Sequence, residues 1–460
     1  MRFHLVCLST CLLVPAAIAP AETARAEVVT ARDVPIVRSS QRASDLLAQT
    51  DAEPEVTPDD SETADSSAAH SETDAAGEPG RDRLSLGIQR GGFTLGLGSR
   101  LREPTVLNGP SRIEVVDAAS VRVSIASITG HLSQQLSSND YLLLEGRGDP
   151  ALVGLDLSYV NELGSSSGEI AINLFNQRSQ IPAFQAGDRD VDLAGSDTPF
   201  VHRLGGGVEY FHAFSPKLGV AVGALYEVVS TRPDLFTSDI ATEDELGNPL
   251  AFSDDGLDQL LALKAAMFFD SVDDSSFPTR GTAIRAGLEQ SIPVGDSAVE
   301  STRISGSVTQ FVPLKLFGFS QGPRVLVANL QAGTIFGDVA PYNAFTLGGT
   351  RTVRGYEIGE LGTGSSFIQA TIEYRFPIAN LKLFSRDTNL GGTLFFDYGS
   401  DLGTDNKVLG NPAAAREKEG SGFGYGIGVF ARFGFGRVRI EFGFNGDGGS
   451  TVHFAFGDRF

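Results

Sequence analysis

From about residue 84 onward the chain repeats one pattern: roughly ten residues of alternating apolar and polar character, then a polar or glycine-rich turn. Successive side chains of a strand point to opposite faces, so this alternation marks strands with one apolar and one polar face. In 282–291, Ile284, Ala286 and Leu288 alternate with Arg285, Gly287 and Glu289. In 437–444, Val438, Ile440, Phe442 and Phe444 alternate with Arg437, Arg439, Glu441 and Gly443. In 153–159, Val153, Leu155, Leu157 and Tyr159 alternate with Gly154, Asp156 and Ser158.

Strands are predicted near 84–97, 121–130, 138–146, 151–160, 167–176, 201–213, 217–230, 258–269, 281–292, 303–312, 324–336, 366–376, 392–398, 423–432, 436–444 and 450–460. A soluble sandwich would show the same alternation, with its charges in water. Here no amphipathic helix and no apolar turn is available to cover so much apolar face. Lipid outside and polar groups inside satisfy the pattern. The predicted fold is therefore all-β: a transmembrane antiparallel β-barrel of about 16 strands, an even number as in single-chain bacterial barrels.

The connections fall into two sets. Short turns are expected at 131–137, 161–166, 214–216, 270–280, 313–323, 377–391 and 433–435, and longer outward loops at 177–200, 231–257, 337–365 and 399–422. Long loops on one side and short turns on the other are the habit of such barrels.

One stretch carries unusual chemistry. Gly348-Gly349-Thr350-Arg351-Thr352-Val353-Arg354-Gly355-Tyr356 is glycine-rich and holds Arg354 on an irregular segment. The next two predicted strands each offer a carboxylate. Glu373 points away from the face shared by Ile368, Ala370, Ile372, Tyr374 and Phe376; Asp397 points away from the face of Leu394, Phe396 and Tyr398. If the apolar faces meet lipid, both acids face the lumen, where the loop's arginine can reach them. Arginine has donors enough for two carboxylates. Glycines at 348, 349 and 355 permit backbone conformations closed to other residues. No nucleophile and base accompany the cluster, so it is read as a brace or as buried polar satisfaction, not as an enzyme's site.

Residues 1–26 have the layout of a secretory signal: Arg2, an apolar run from Leu5 to Ala19, and small residues at Ala24-Arg25-Ala26. Both cysteines, Cys7 and Cys11, fall inside it, which leaves no disulfide framework or cysteine-based metal site beyond it. Net charge is −21, which argues against nucleic acid as a partner. Between Asp51 and Gly80 there are ten acids and no Lys or Arg, so 27–80 is expected to be disordered, a solvated spacer or an acidic docking tail. The domain plan is thus signal 1–26, acidic linker 27–80 and barrel 81–460.

Other signals are weaker. Gly164-Ser165-Ser166-Ser167-Gly168 fits G-x-S-x-G in letter but has no following helix. Asp188, Asp190 and Asp192, and Asp254, Asp255 and Asp258, are read as solvated acidic loops with calcium as the rival. His70, His131, His202, His212 and His453 show no ligand spacing, and Gly422, Gly424 and Gly426 alternate on a strand rather than forming a phosphate loop. No cofactor is expected.

The segment Phe345–Tyr398, with Gly-Gly-Thr-x-x-Val-Arg-Gly-Tyr, then Ile-Glu-Tyr-Arg-Phe-Pro, then Phe-Phe-Asp-Tyr-Gly, resembles the bacterial surface antigen family. That family includes the BamA and TamA barrels, two-partner secretion transporters and chloroplast envelope import pores. Phe277-Pro278-Thr279-Arg280-Gly281, the run Val438–Asn445 and the terminal strand agree, and segments near 148–157 and 201–207 look closest to cyanobacterial members. The last strand, with Val452, Phe454, Phe456 and a terminal Phe460, resembles the signal by which outer-membrane barrels are recognised for assembly.

The resemblance implies a sixteen-stranded outer-membrane barrel whose loop between the eleventh and twelfth strands folds into the lumen. There Arg354 would meet Glu373 and Asp397, with Gly348, Gly349, Val353, Gly355 and Tyr356 shaping the loop. It also implies a weak seam between first and last strands that could accept a client strand. Gly443, Gly446, Gly448, Gly449 and Gly457 crowd that region, either weakening pairing or curving the wall. Members usually carry periplasmic POTRA domains, and the interval 27–83 is too short and too polar to hold one. The expectation is a barrel-only member in the outer membrane of a Gram-negative-type cell, of cyanobacterial kind in one reading. It would act in insertion or transport of proteins. Expected partners are outer-membrane lipids, unfolded outer-membrane protein clients, and the barrel assembly machinery for its own insertion. A passive channel for ions or small solutes and a structural envelope barrel are the rivals.

Overall fold

The computed structural model describes residues 84–88, 92–97, 120–124, 128–456 and Arg459, apart from short breaks at 138, 150–151, 164–167, 194–195, 197–198, 216, 275–276, 384–385 and 434–435. The signal 1–26, the linker 27–80, the core of the G-x-S-x-G turn and Phe460 lie outside the described residues.

The strands are β1 (Leu84–Ile88), β2 (Gly92–Leu97), β3 (Ser120–Ser124), β4 (Ile128–Gln135), β5 (Asp140–Asp149), β6 (Leu152–Glu162), β7 (Gly168–Gln180), β8 (Phe200–Ser215), β9 (Leu218–Arg232), β10 (Asp258–Asp270), β11 (Gly281–Ile292), β12 (Ser301–Pro313), β13 (Val325–Gly337), β14 (Phe345–Leu347), β15 (Gly362–Gly364), β16 (Ser366–Leu383), β17 (Arg386–Ser400), β18 (Ser421–Phe433), β19 (Gly436–Asn445) and β20 (Ser450–Phe456). All except β14 and β15 form one antiparallel sheet in which each strand pairs with the next, β13 pairing directly with β16. The fold is the expected all-β barrel wall. No helix among the described residues is long and apolar enough to cross a membrane, which leaves spanning to strands.

The predicted strands from 138 onward each appear as one continuous strand. The first two do not. The run 84–97 folds back on itself, with Ile88 opposite Phe93, and 121–130 divides where Val123 pairs with Ile128. In both, the apolar positions change parity across the turn, from Leu84, Leu86 and Ile88 to Phe93, Leu95 and Leu97, and from Val121 and Val123 to Ile128, so the break is written in the sequence as a slip in the alternation. A second correction concerns 377–391, expected as one of the short-side turns. Instead β16 and β17 continue through it to the pair Leu383↔Arg386, with the register shifting between Pro377 and Ala379. Pro377 stays opposite Gly391, and the bulge skips Ile378 without ending the strand.

Exposure follows parity. Leu174, Leu204, Leu263, Leu288, Ile304, Leu330, Ile372, Ile427 and Val452 stand exposed on the outer face, while Glu145, Glu227, Asn329, Gln331, Glu373, Asp397 and Glu441 are buried on the inner one. An apolar exterior with an ionic interior is the arrangement a lipid solvent selects. One end of the wall carries the connections 217, 271–280 and 314–324, and the other carries 293–300 and the long 181–199, 233–257, 338–365 and 401–420. These long loops pack on one another: Ile181, Phe184, Leu193, Ala241, Leu250, Val299 and Tyr342 share one apolar core. Asp258, one of the calcium rivals, is fully buried there and accepts from the backbone N–H of Phe252 and Ser253 and from Tyr342 Oη. Its oxygens are occupied by protein donors.

Candidate functional site

The loop 338–365 leaves β13, pairs Phe345 with Gly364 in the short β14–β15 ladder, and sends its tip into the barrel. Base and tip share one apolar cluster of Val339, Phe345, Leu347, Val353, Tyr356 and Leu361. The tip is drawn tight by Thr352, whose Oγ1 accepts from Gly348 N (2.8 Å) and donates to Gly348 O (2.9 Å). Gly348 and Gly355 have φ of 114° and 100°, a region side chains rarely adopt, so glycine is needed at both bends.

Arg354 is fully buried and meets three carboxylates. Its Nε donates to Asp397 Oδ2 (2.7 Å) and Nη2 to Asp397 Oδ1 (3.0 Å), while Nη1 donates to Glu373 Oε2 (2.7 Å) and Glu441 Oε1 (2.8 Å). Its backbone N–H also donates to Asp397 Oδ2 (3.1 Å), and the guanidinium carbon stands 3.6 Å from the centre of the Phe395 ring. Burial opposes the charge, but Asp397, then Glu373 and Glu441, hold its pKa above the usual arginine value. Both expected acids thus join Arg354, as their parity implied.

Further groups complete the network. Arg375 Nε donates to Glu373 Oε1 (2.7 Å), Thr371 Oγ1 to Asp397 Oδ1 (2.7 Å), and Arg459 Nη1 to Asp397 Oδ1 (3.1 Å). Arg439 Nη1 lies 3.6 Å from Glu441 Oε1. Gly355 is clasped by β20: its N–H donates to His453 Nε2 (2.9 Å) and its carbonyl accepts from Thr451 Oγ1 (3.1 Å). Tyr356 Oη donates to Asp447 Oδ2 (2.8 Å) in the β19–β20 turn. The tip is therefore bonded to β16, β17, β19 and β20.

Glu441, Arg375, Arg459 and His453 are sequence signals that were passed over. Glu441 sits between Ile440 and Phe442 with the same parity as Glu373 and Asp397, and that alternation was visible. His453 has the parity opposite to Val452 and Phe454, which stand exposed on the outer face of β20 and take no part in the cluster. Phe456 ends β20, opposite Val438.

The strand glycines also have a role that spacing did not disclose. A Cβ on Gly443 would lie 2.6 Å from Gly355 N, one on Gly399 2.6 Å from Val353 Cγ2, and one on Gly424 would collide with Arg354 O. Inward-facing glycines on β17, β18 and β19 open the channel in the wall that the loop tip occupies. Among the described residues no group of three or more His, Cys, Asp or Glu is arranged for a metal. The three carboxylates converge on a guanidinium instead.

Residues 138–460 match the sequence profile of the Omp85 superfamily domain. The chain belongs to the Omp85 superfamily. Outer envelope protein 80 of Arabidopsis thaliana is 31% identical over 259 residues, covering 56% of this chain and 32% of the relative. Protein TOC75 of Oryza sativa subsp. japonica is 29% identical over 251 residues, covering 52% and 29%. Outer envelope protein 39 of Arabidopsis thaliana is 31% identical over 247 residues, covering 53% and 62%. The chain spans less than two thirds of the length of each of these relatives. BamA from Haemophilus ducreyi, in a structure lacking POTRA domains 1-3, shares the fold with TM-score 0.55 over 82% of this chain and 70% of that one, at 12% identity. Omp85 homologues are outer-membrane proteins of bacterial or chloroplast envelopes, so the apolar exterior of this wall has a lipid setting in its own family.

Proposed function

We propose that this Omp85 chain acts in the insertion or transport of proteins at an outer membrane, with the Arg354 network holding the inward loop against the last strands of the wall. The observation that carries the reading is the bonding of one loop tip to β16, β17, β19 and β20 together, through Arg354, Gly355 and Tyr356. A device that fixes the loop to the end of the sheet sets the geometry of the strand from which a seam would open. Passive conduction is the weaker reading. The tip fills lumen space, and the long loops form a shared apolar core over that end of the barrel.

Residues 1–26 are proposed to direct export and 27–80 to act as an acidic spacer, with unfolded barrel proteins as clients and a Gram-negative-type cell as the setting. Depleting the protein and measuring the levels of other outer-membrane barrels tests the function. A selective fall supports it; unchanged levels, with steady ion conductance of the pure protein in planar bilayers, would sink it in favour of the channel.

A further inference from the structure

The turn 314–324 between β12 and β13 does not project from the short-turn end. It folds back on the outside of the wall. Tyr374 and Phe376 share the parity of Ile372, which is exposed to lipid, yet both are buried, because this turn covers them. Tyr374 Oη accepts from the N–H of Leu316 (3.2 Å) and Phe317 (3.1 Å) and donates to Phe317 O (2.8 Å). Phe319 N donates to Pro377 O (2.8 Å), beside the bulge of β16. Phe317 packs on Tyr374 and Phe376 with ring centres 5.0 and 4.7 Å apart.

A turn built this firmly still shows apolar groups outward: Phe319 is 75% exposed and Leu316 64%. They add to the apolar outer face on which Val312 of β12 and Ile372 of β16 also stand exposed. The segment holds Lys315 and Arg324 and no acid, in a chain of net charge −21. The neighbouring turn 271–280, at the same end, carries Asp273 and Asp274 beside its one cation, Arg280. Aromatic and aliphatic groups at the edge of a lipid band, flanked by cations alone, fit the phospholipid interface: acyl chains beside the rings and headgroup phosphate beside the ammonium and guanidinium.

We propose that 314–324 is a lipid-interface anchor, inserted at the headgroup boundary of the short-turn leaflet and fixing the β12–β13–β16 side of the barrel there. It rests on the membrane-barrel reading, and the test separates the two. The protein contains no tryptophan, so a single introduced indole reports its own surroundings. Phe319→Trp and, as a mid-band control, Ile372→Trp are each reconstituted alone into vesicles of phosphatidylcholine and phosphatidylglycerol, with folding checked by heat-modifiable gel mobility. Lipids carry bromine either near the headgroup or deep in the chain.

The expected result is that Phe319→Trp loses most of its emission to the shallow bromine, less to the deep one, and resists aqueous iodide, while Ile372→Trp responds most to the deep bromine. Iodide quenching of Phe319→Trp without bromine quenching, the control behaving as expected, overturns the anchor. Blue-shifted emission that ignores bromine and depends on protein density also overturns it, in favour of contact with a second copy. Loss of bromine quenching in both variants removes the membrane reading and the anchor together.

Discussion

The inward loop meets two sides of the barrel, and they hold it by opposite chemistry. At the tip the loop supplies the cation: Arg354 is surrounded by Asp397, Glu373 and Glu441 from β17, β16 and β19. At the base the wall supplies the cations. Arg203 of β8 donates to Tyr342 O and Asn343 Oδ1 (both 2.9 Å), and Arg303 of β12 donates to Asn343 O (2.8 Å) and stacks 4.1 Å from the Phe345 ring centre. Arg203 also has its own wall partner, Glu227, at 2.6 Å. The base is thus held by neutral acceptors, and its arginine keeps a counter-ion if the loop leaves. At the tip each acid has a second cation, Arg375 beside Glu373, Arg459 beside Asp397 and Arg439 beside Glu441, but among the described residues Arg354 alone joins all three and ties them to the loop. Desolvated charge is costly when unpaired, so the tip is the site at which removing one side chain does most.

The largest effect is expected from Arg354→Ala. Three buried acids would lose their common partner, at a cost of about 3–5 kcal/mol. Heat-modifiable mobility should shift to lower temperature and the loop should become sensitive to protease; unchanged values for both would remove the brace. Gly424→Ala attacks the same contact from the wall, placing a methyl against Arg354 O. Overpacking of this kind costs about 3 kcal/mol at its upper end. It should release the tip while leaving every charge in place, and a protected tip in that variant would mean that the glycine channel is not needed.

Arg303→Ala should cost less, about 1.5 kcal/mol, the lower range for a hydrogen bond from a charged donor. Protease sensitivity should rise near 341–345 and not at 352–356; equal sensitivity at both places would erase the distinction between base and tip. The smallest effect lies away from the loop. Asp273 in the turn 271–280 accepts from Thr279 N (2.8 Å), Thr279 Oγ1 and Arg280 N (3.0 Å). Burial acts to raise its pKa, but these bonds prevail and lower it from 3.8 to about 2. A depressed carboxylate contributes order above its unfolded pKa and loses it as pH falls through the folded value. Protease resistance of the turn should therefore hold at neutral pH and decline from about 4 towards 2. A decline centred above pH 5 would point to another group.

The same comparison shows what could be read without coordinates. Tip chemistry was legible because parity on a strand is a local property: Glu373 and Asp397 are inward whatever surrounds them. Glu441 obeyed the same rule and was missed because it lies eighty-seven positions from Arg354 along the chain. Base chemistry was not legible. Nothing local marks Arg203 or Arg303 as partners of backbone carbonyls more than a hundred, or about forty, positions away. The strand character of 377–391 was not legible either: Pro377 has no N–H to donate, and the bulge that carries β16 past it is set by pairing with β17. The glycines of β18 looked like simple alternation; their meaning lies in the loop backbone that approaches them.

The most direct test of the account is the accessibility of Val353. It is fully buried beside Arg354, and no cysteine follows Cys11, so in a chain produced without residues 1–26 Val353→Cys carries the one thiol. Labelling by a water-soluble maleimide is measured in the folded, membrane-reconstituted protein, with Arg354 present and with Arg354→Ala added. The account predicts protection with Arg354 and rapid labelling without it. Rapid labelling with Arg354 intact, or equal protection in its absence, would contradict the claim that this arginine holds the loop in the barrel.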